Sequence, residues 1–373
     1  MFFALVLLST AIPALAWNNS TLSIGLGPAL AAVGLTTLAS QAGRLNNTSI
    51  GQGLLARLTT GNYTLFAPDN AVFSNATNTS SFPSDDNLFA NALAYHIVSG
   101  SFTHTNETGN QTNATLEAEN YPNVTIGRTL LDNSSVVELE GNKSQVLVWS
   151  DINHTVQMYN QPKNVSVLNS TLVGNFLVNR INGVLVIPPD VSDVLVEQNL
   201  TYLANYLNST TITSSNGTNE TITQLLDSDS IAGFTFFAPD NAAFDLARSS
   251  LNTTASVPVM ENHIVNVSTI YSPSLTPSEN LTSVGGEPLT FTTNSSGTFV
   301  HSGNVANARI IKMDMLCRNG VLHMLDRVLI NTATNPAAAT SAHEAATASA
   351  EVSTTETGPV GVPTTAGLTG SKA

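Results

Sequence analysis

Charged side chains are scarce in this sequence. Asp, Glu, Lys and Arg make up 10% of its 373 residues, whereas a typical soluble domain has about 25%. Only 12 residues are Lys or Arg, and the formal net charge at pH 7 is −14. Because such a chain repels phosphate groups, its composition argues against nucleic acid and anionic membrane surfaces as partners. Something other than charge must keep the surface hydrated.

Cysteine is almost missing as well. The single cysteine, Cys317, cannot form a disulfide within the chain, so stability must come from packed cores, for which 42% hydrophobic residues suffice. Since no activating base is evident, we expect a buried, inert thiol, with intermolecular pairing as the alternative.

Apolar periodicity is missing from the C-terminal residues, where Ala, Thr, Ser, Gly and Pro dominate. A segment of this composition buries too little apolar surface to offset its conformational entropy. We therefore predict a disordered tail over 332–373, of the kind found in O-glycosylated stalks.

The N-terminus carries a short apolar run that ends in Ala14-Leu15-Ala16. This pattern predicts a secretory signal peptide at 1–16, with a buried helix as the alternative. The run is too short to span a bilayer comfortably. We expect a mature chain that begins near Trp17, has no transmembrane segment, and is secreted to the extracellular space, the cell surface or the cell wall, with the vacuole as another destination.

Asn-x-Ser/Thr sequons occur from Asn18 to Asn294, with further examples at Asn62, Asn123 and Asn199. Glycans are bulky and strongly hydrated, and they would supply the solubility that the missing charges do not. The sequence therefore predicts a secreted glycoprotein.

An internal repeat divides the chain. Three segments recur in the same order: TLFAPDNAVF at 64–73 as TFFAPDNAAF at 235–244, YHIV at 95–98 as NHIV at 262–265, and NGVLVI at 182–187 as NGVLHM at 319–324. We predict two homologous domains, at 17–189 and 190–331, that meet near Pro188 and Pro189.

Each repeat begins with helical spacing, around 29–38 and 191–207, and continues with β-prone runs. Asp190 or Ser192 is a candidate cap for the second of these helices. Further strands are predicted at 146–149, 289–292, 298–300 and 308–311. Helices first and strands later, without βαβ alternation, indicate an α+β fold.

Several residues have predicted structural roles in these elements. Pro68 and Pro239 should end the strands at 64–66 and 235–237, because proline donates no ladder hydrogen bond. Asp69 and Asp240 should then cap a short helix. The Asn-Gly pairs that contain Gly183 and Gly320 should form tight turns between two strands.

Three of these motifs resemble those of the fasciclin (FAS1) family. FAPDNAVF at 66–73 and FAPDNAAF at 237–244 resemble its first motif, and NGVLHMLDRVL at 319–329 resembles its second. Tyr95-His96 resembles the Tyr-His pair between them. The resemblance covers roughly 18–190 and 191–331. It implies tandem FAS1 domains, each a wedge-shaped β-sandwich with flanking helices.

Three positions depart from the family pattern. Val186 stands where the motif has His, Pro189 where it has Asp, and Asn262 where the pair has Tyr. The family implies cell adhesion or association with the extracellular matrix or cell wall, and the Tyr-His region is linked to integrin binding in animal members.

Histidines are the candidates for chemistry, and none lies in a metal-binding or catalytic spacing. His96 and His263 occupy equivalent positions, which fit a core histidine bonded to backbone, a binding role shared with Tyr95, or metal ligation. His323 and Asp326 should hydrogen-bond locally rather than form a catalytic dyad. We predict no enzyme activity, no cofactor and no bound metal.

We therefore expect an adhesion, wall or matrix protein that binds cell-surface or wall proteins and glycans and that self-associates as a further option. A carrier of a small apolar ligand is the alternative, and a hydrolytic enzyme is a third hypothesis.

Overall fold

The computed structural model describes residues 25–74, 82–104, 115–116, 124–213, 217–251, 256–351 and 356–361. The predicted signal peptide at 1–16 and the sequon residue Asn123 lie outside these ranges.

The first repeat begins with helices and continues with strands. Its helices are α1 (Leu26–Ala32), α2 (Thr36–Gln41), α3 (Ser49–Arg57), α4 (Asn70–Ser74) and α5 (Asp86–Tyr95), with 3-10 turns at Ala42–Asn47 and Glu140–Asn142. Its strands are β1 (Tyr63–Pro68), β2 (Ile97–Ser99), β3 (Thr103–His104), β4 (Thr115–Leu116), β5 (Thr125–Arg128), β6 (Val146–Ile152), β7 (Thr155–Met158), β8 (Val165–Val173) and β9 (Phe176–Ile181).

The second repeat has the same plan. Its helices are α6 (Val191–Glu197), α7 (Thr201–Ser209), α8 (Ile222–Leu226), α9 (Asn241–Ala247) and α10 (Ser256–Glu261), with a 3-10 turn at Ser272–Ser274. Its strands are β10 (Thr211–Thr213), β11 (Asn219–Thr221), β12 (Phe234–Pro239), β13 (Ile264–Asn266), β14 (Asn280–Thr282), β15 (Pro288–Asn294), β16 (Gly297–Ser302), β17 (Ala306–Cys317) and β18 (Gly320–Leu325). The helix α11 (Pro336–Glu351) follows it.

Each repeat contains one seven-stranded sheet, with equivalent strands in equivalent places. The orders are β2-β1-β9-β8-β7-β6-β5 and β13-β12-β18-β17-β16-β15-β14. In both sheets the first long strand pairs in parallel with the last, and the other neighbours are antiparallel. In the first domain an isolated bridge joins Val98 to Thr129, which brings the β2 and β5 ends of the sheet together. The predicted α+β class and the duplication are confirmed.

Each of the two long helices predicted at the repeat starts is in fact a pair of short helices. Gly34 adopts a φ of 78° and Asn199 a φ of 56°. After each break, a backbone N–H bonds back over the helix end, from Leu35 to the Leu30 carbonyl and from Leu200 to the Leu195 carbonyl. Glycine and asparagine are the residues that accept this left-handed helix ending, so the prediction missed a visible signal.

The predicted helix caps divide into two outcomes. The Asp240 carboxylate accepts the Ala243 N–H at 2.7 Å, and Asp69 accepts the Ala71 N–H at 2.9 Å, as expected. Asp190 precedes α6 but makes no side-chain cap bond. Its carboxylate instead accepts from Arg318 at 2.8 Å, because a charged guanidinium is a stronger partner than a backbone N–H.

Strand register corrects the predicted equivalence of 182–187 with 319–324. Thr64 is opposite Leu177 and its repeat partner Thr235 is opposite Val321, so 175–181 is the counterpart of 319–325. The turns between the last two strands are at 174–175 and 318–319, and 182–183 follows β9. The expected tight turn at Gly183 is therefore wrong. The wrong alignment arose because the short apolar runs VLVI and VLHM are similar in sequence.

The same register also changes which first-domain residues are compared with His323 and Asp326 of the family motif. Asn179, rather than Val186, is the counterpart of His323, and Asn182, rather than Pro189, is the counterpart of Asp326. Asn182 and Asp326 play the same role, because each side-chain oxygen accepts a backbone N–H, from Ser166 and Arg309 respectively, at 2.8 Å. Gly320 is the first residue of β18, and a Cβ there would lie 2.6 Å from the Phe234 carbonyl oxygen.

Separate cores fill the two domains, and a smaller cluster joins them. The junction cluster consists of Ile126, Val146 and Val148 of the first domain, Tyr271, Leu316 and Val321 of the second, and Val360. Beside it, Arg318 binds Asp190, Asp229 and Glu138. The two repeats are thus packed against each other through both apolar and charged contacts.

The prediction of a disordered tail over 332–373 is wrong for 336–351, which form α11, and for 356–361, which contact β5 through Pro359 and Val360. Apolar periodicity is indeed weak there, but the run PAAATSAHEAATASAE is rich in alanine, the residue with the highest helix propensity. Residues 362–373 lie outside the described ranges.

One prediction concerns the buried asparagine before the last strand. The Asn319 amide donates to the Leu226 and Ile231 carbonyls at 2.8 and 3.1 Å. Asn319→Ala leaves both acceptors without this donor, and we expect a loss of about 1–3 kcal/mol of unfolding free energy. Urea unfolding of the full chain measures it. Asn304→Ala, at an exposed turn residue, is the matched control and should change stability by less than about 0.5 kcal/mol. Equal losses in both variants would contradict this role.

Candidate functional site

The Tyr-His pair lies at the C-terminal end of α5, and both side chains are fully buried. The His96 Nδ1 atom is 2.7 Å from the Ala92 carbonyl oxygen, to which it donates, and Nε2 accepts the Leu185 N–H at 2.9 Å. The imidazole therefore ties the end of α5 to the segment that follows the last strand. Within the described part of the chain, the Tyr95 hydroxyl has no hydrogen-bond partner.

The second domain repeats this connection. His263 is buried, its Nδ1 donates to the Val259 carbonyl at 2.6 Å, and its Nε2 accepts the Leu329 N–H at 2.9 Å. The neighbouring Asn262 donates to the Asn331 and Ala333 carbonyls. Of the three possibilities considered for these histidines, the structure has the core histidine bonded to backbone. Neither ring reaches the surface, so direct contact with a partner would require local opening.

Burial controls the protonation of these groups. Desolvation lowers the pKa of His96 and of His263 to about 4, although the hydrogen bond from each ring to a backbone carbonyl acts in the opposite direction. Both rings are therefore neutral at physiological pH. Burial also raises the pKa of the Cys317 thiol, in keeping with the expected inert side chain.

His323 and Asp326 hydrogen-bond to nearby backbone, as expected. The Asp314 N–H lies 3.3 Å from His323 Nδ1, and Nε2 donates to the Ile270 carbonyl at 2.9 Å. Across the described ranges, no group of three or more His, Cys, Asp or Glu side chains is placed to hold a metal ion.

An open apolar groove of about 490 Å³ lies beside the Tyr-His pair in the first domain. Ala92 and Leu185, the two residues that His96 bonds, line this groove, and His96 itself does not. The other lining residues are Pro83, Leu88, Asn91, Val136, Gln161, Pro162, Lys163, Asn164, Val165, Asn182, Gly183, Val184, Val186 and Ile187. The buried histidine thus acts as a positioning residue for two parts of the groove wall.

Two apolar side chains on the groove are open to solvent. Leu88 is 51% exposed and Val186 is 47% exposed. The Gln161 side chain fixes the Val186 backbone by accepting its N–H at 2.7 Å. Exposed apolar groups around a concave surface are typical of a binding site.

Sequence reasoning missed this groove because its walls come from α5, from 161–165 and from 182–187. Only the folded register brings these segments together. The available signal was Val186, an apolar residue just beyond the last strand.

Three of the named sequon residues lie on the surface. Asn62, Asn199 and Asn294 are exposed, so their side chains are accessible, while Asn123 lies outside the described ranges. Occupancy of these sites stays a prediction.

Both repeats are α+β domains with the same two features: the first long strand pairs in parallel with the last, and a buried histidine bonds the backbone just after that last strand. The family model for the fasciclin domain matches residues 40–159 and 199–331, and the chain belongs to this family. Fasciclin domains are generally non-enzymatic, adhesion-type domains of extracellular or cell-surface proteins.

Among solved structures, the chain is similar to a FAS1 domain pair from the insect cell adhesion molecule fasciclin I, with 16% identity and a TM-score of 0.33, over 79% of this chain and 97% of that chain. No curated protein matched. In the described residues, no helix has the length and apolar character needed to cross a membrane.

The buried histidines predict acid sensitivity. In the unfolded chain a histidine has a pKa of about 6.5, whereas His96 and His263 have a pKa of about 4 in the fold. Between these values the unfolded chain binds more protons, so the unfolding free energy should fall as the pH is lowered from about 6.5 to about 4. We expect a loss of about 2 kcal/mol per histidine between pH 7 and pH 4.5, measured by urea unfolding.

Ring resonances in NMR spectra provide the site-specific check. The His96 and His263 signals should remain those of neutral imidazole at pH 5 in the folded chain and should titrate near pH 6.5 in urea. A folded-state midpoint near 6.5 for either ring would contradict the assigned hydrogen bonds.

Proposed function

We propose that this protein is an extracellular adhesion glycoprotein, associated with the cell wall or matrix, that acts by binding proteins or glycans. Its membership of the fasciclin family supports this role, and so do the exposed sequon residues. The observation that carries the proposal is the open groove in the first domain, with its apolar wall and half-exposed Leu88 and Val186.

The groove fits an extended apolar segment better than a charged ligand. Its wall is mainly Pro, Leu, Val, Ala and Ile, and its polar side chains are mostly the uncharged Asn91, Gln161, Asn164 and Asn182. Covering Leu88 and Val186 would remove apolar area from water, at about 25 cal/mol per Å². The amides at the edge can pair with a peptide backbone or with sugar hydroxyls.

A carrier of a small apolar ligand is the second candidate. The groove volume of about 490 Å³ lies within the range of about 300–1,000 Å³ that is usual for small-molecule sites. A groove that is open along one side favours a macromolecular segment, whereas a carrier would be expected to enclose its ligand.

The test introduces carboxylate side chains into the groove by substitution. We expect the double variant Leu88→Asp/Val186→Asp to weaken adhesion at least about ten-fold, because carboxylates would have to be desolvated when a partner binds. The assay uses beads that carry the glycosylated full chain, with cells, wall polysaccharide or chain-coated beads as targets. Thermal unfolding should be little changed, since both positions are half exposed.

The matched control is Leu246→Asp/Val305→Asp, at two second-domain residues that are 75% and 70% exposed. This variant should bind like the wild type. Native mass spectrometry of the purified chain separates the two candidates: a bound small molecule that is lost only in the groove variant would favour the carrier. Equal adhesion by the wild type and both variants would refute adhesion through the groove.

A further inference from the structure

The C-terminal residues 356–361, here named the tail strand, return to the first domain. They lie along β5, the last strand in the order of that sheet. Gly127 of β5 forms an antiparallel bridge with Pro359, and the Val360 N–H donates to the Ile126 carbonyl at 2.8 Å. The contact is thus a single β-bridge with one backbone hydrogen bond, which is the smallest form of pairing at a sheet edge.

A buried arginine forms an ion pair with an acidic residue at the start of the tail strand. Arg128 is 6% exposed, and its Nε and Nη2 atoms donate to Glu356 Oε2 at 2.9 and 2.5 Å. Its Nη1 donates to the Ser144 carbonyl. The nearby Glu140 carboxylate is bonded to Lys143 and Thr269, so Glu356 is the carboxylate that pairs directly with Arg128. Leaving a buried guanidinium without its carboxylate is strongly unfavourable.

At the other end of the tail strand, an apolar side chain packs into the junction cluster. Val360 is 4% exposed and packs in the junction cluster, between strands of both domains. The backbone in between comes very close to the first domain, because a Cβ on Gly100 would lie 1.9 Å from the Thr357 carbonyl oxygen. The site therefore favours a carboxylate and, four residues later, a branched apolar side chain, with the backbone between them close to Gly100.

The connection of the tail strand to the rest of the chain is slight. Only Ala350 of α11 is buried, and the contact with β5 is made through Glu356, Pro359 and Val360. Occupancy by the chain's own segment then depends largely on tethering, which raises its effective concentration. Each copy of the chain carries both the site and the matching segment, the combination that permits exchange between copies.

We propose that Arg128, the β5 edge and the junction cluster form a peptide-recognition site, and that the tail strand of a second copy can occupy it. Two copies then associate by exchanging tail strands. This surface is separate from the apolar groove, so the inference does not depend on the function proposed above.

A peptide-binding experiment tests recognition. In the full chain, Glu356→Gln/Val360→Asp empties the site, and a fluorescent peptide with the sequence of residues 354–363 is the probe. The peptide should bind this open chain at least about ten-fold more tightly than it binds the wild type, whose site is filled. Peptides that carry Gln in place of Glu, or Asp in place of Val, should bind about ten-fold or more weakly. Failure of the unmodified peptide to bind a folded open chain, or equal binding of all three peptides, would overturn the proposal.

A mixing experiment tests exchange. Arg128→Met leaves an intact tail strand but a defective site, and Val360→Asp does the reverse. Each variant alone should be monomeric by native mass spectrometry, their mixture should form a heterodimer, and the wild type should form a concentration-dependent dimer. Val305→Asp, at an exposed residue of the second domain, should dimerise like the wild type. A mixture that stays monomeric, or dimers that persist in Val360→Asp alone, would show that copies do not exchange the tail strand.

Should Arg128→Met fail to fold, substitutions on the tail keep the test decisive. Glu356→Gln/Val360→Asp in the full chain retains Arg128 and, because its tail fits neither its own site nor that of a second copy, should be monomeric at concentrations at which the wild type forms dimers. An unchanged dimer fraction would contradict it.

Discussion

Each domain depends on a pairing between its first and last long strands. β1 lies parallel to β9, and β12 lies parallel to β18. In both domains a buried histidine adds a second connection, from the end of a helix to the backbone just beyond the last strand. The ring must be neutral to accept that backbone N–H. Burial keeps the ring neutral, so the same packing that removes the histidine from water also allows it to hold the end of the domain. In the first domain, the segment held in this way also forms a wall of the groove.

Two of the 12 basic residues lie where the two domains meet. Arg128 and Arg318 both lie at or beside the contact between the two domains, and each pairs with carboxylates that are distant in sequence. Arg128 is buried and tolerates few alternatives, since removing its partner leaves an uncompensated charge. Arg318 is partly exposed, but it binds three carboxylates. In a chain with so little charge, these two residues therefore specify which segments meet. The apolar junction cluster supplies the contact area.

Much of the fold could be read from the residues themselves. The recurring FAPDN segments predicted the first long strands and their aspartate caps, and the repeat predicted two α+β domains. Gly34 and Asn199 carried a readable signal for helix breaks that was overlooked. The error at 182–187 arose because apolar strands resemble each other at several registers, and only the pairing with β1 decides among them. The groove and the tail site combine segments that are distant in sequence, so local patterns could not reveal them.

The parallel strand pair also has a consequence for biosynthesis. Tyr63 pairs with Ser99 of β2 on one side but meets its other neighbour, Phe176, much later in the chain, so the first sheet cannot close until almost the whole domain has emerged from the ribosome. Chains grow at about 5–20 residues per second, and pairings between distant segments are slow to form. For several seconds the nascent chain therefore carries a strand that can pair along one edge only, and unpaired strand edges are prone to aggregate. The sequon at Asn62, directly before that strand, is well placed for a glycan to shield it during this interval.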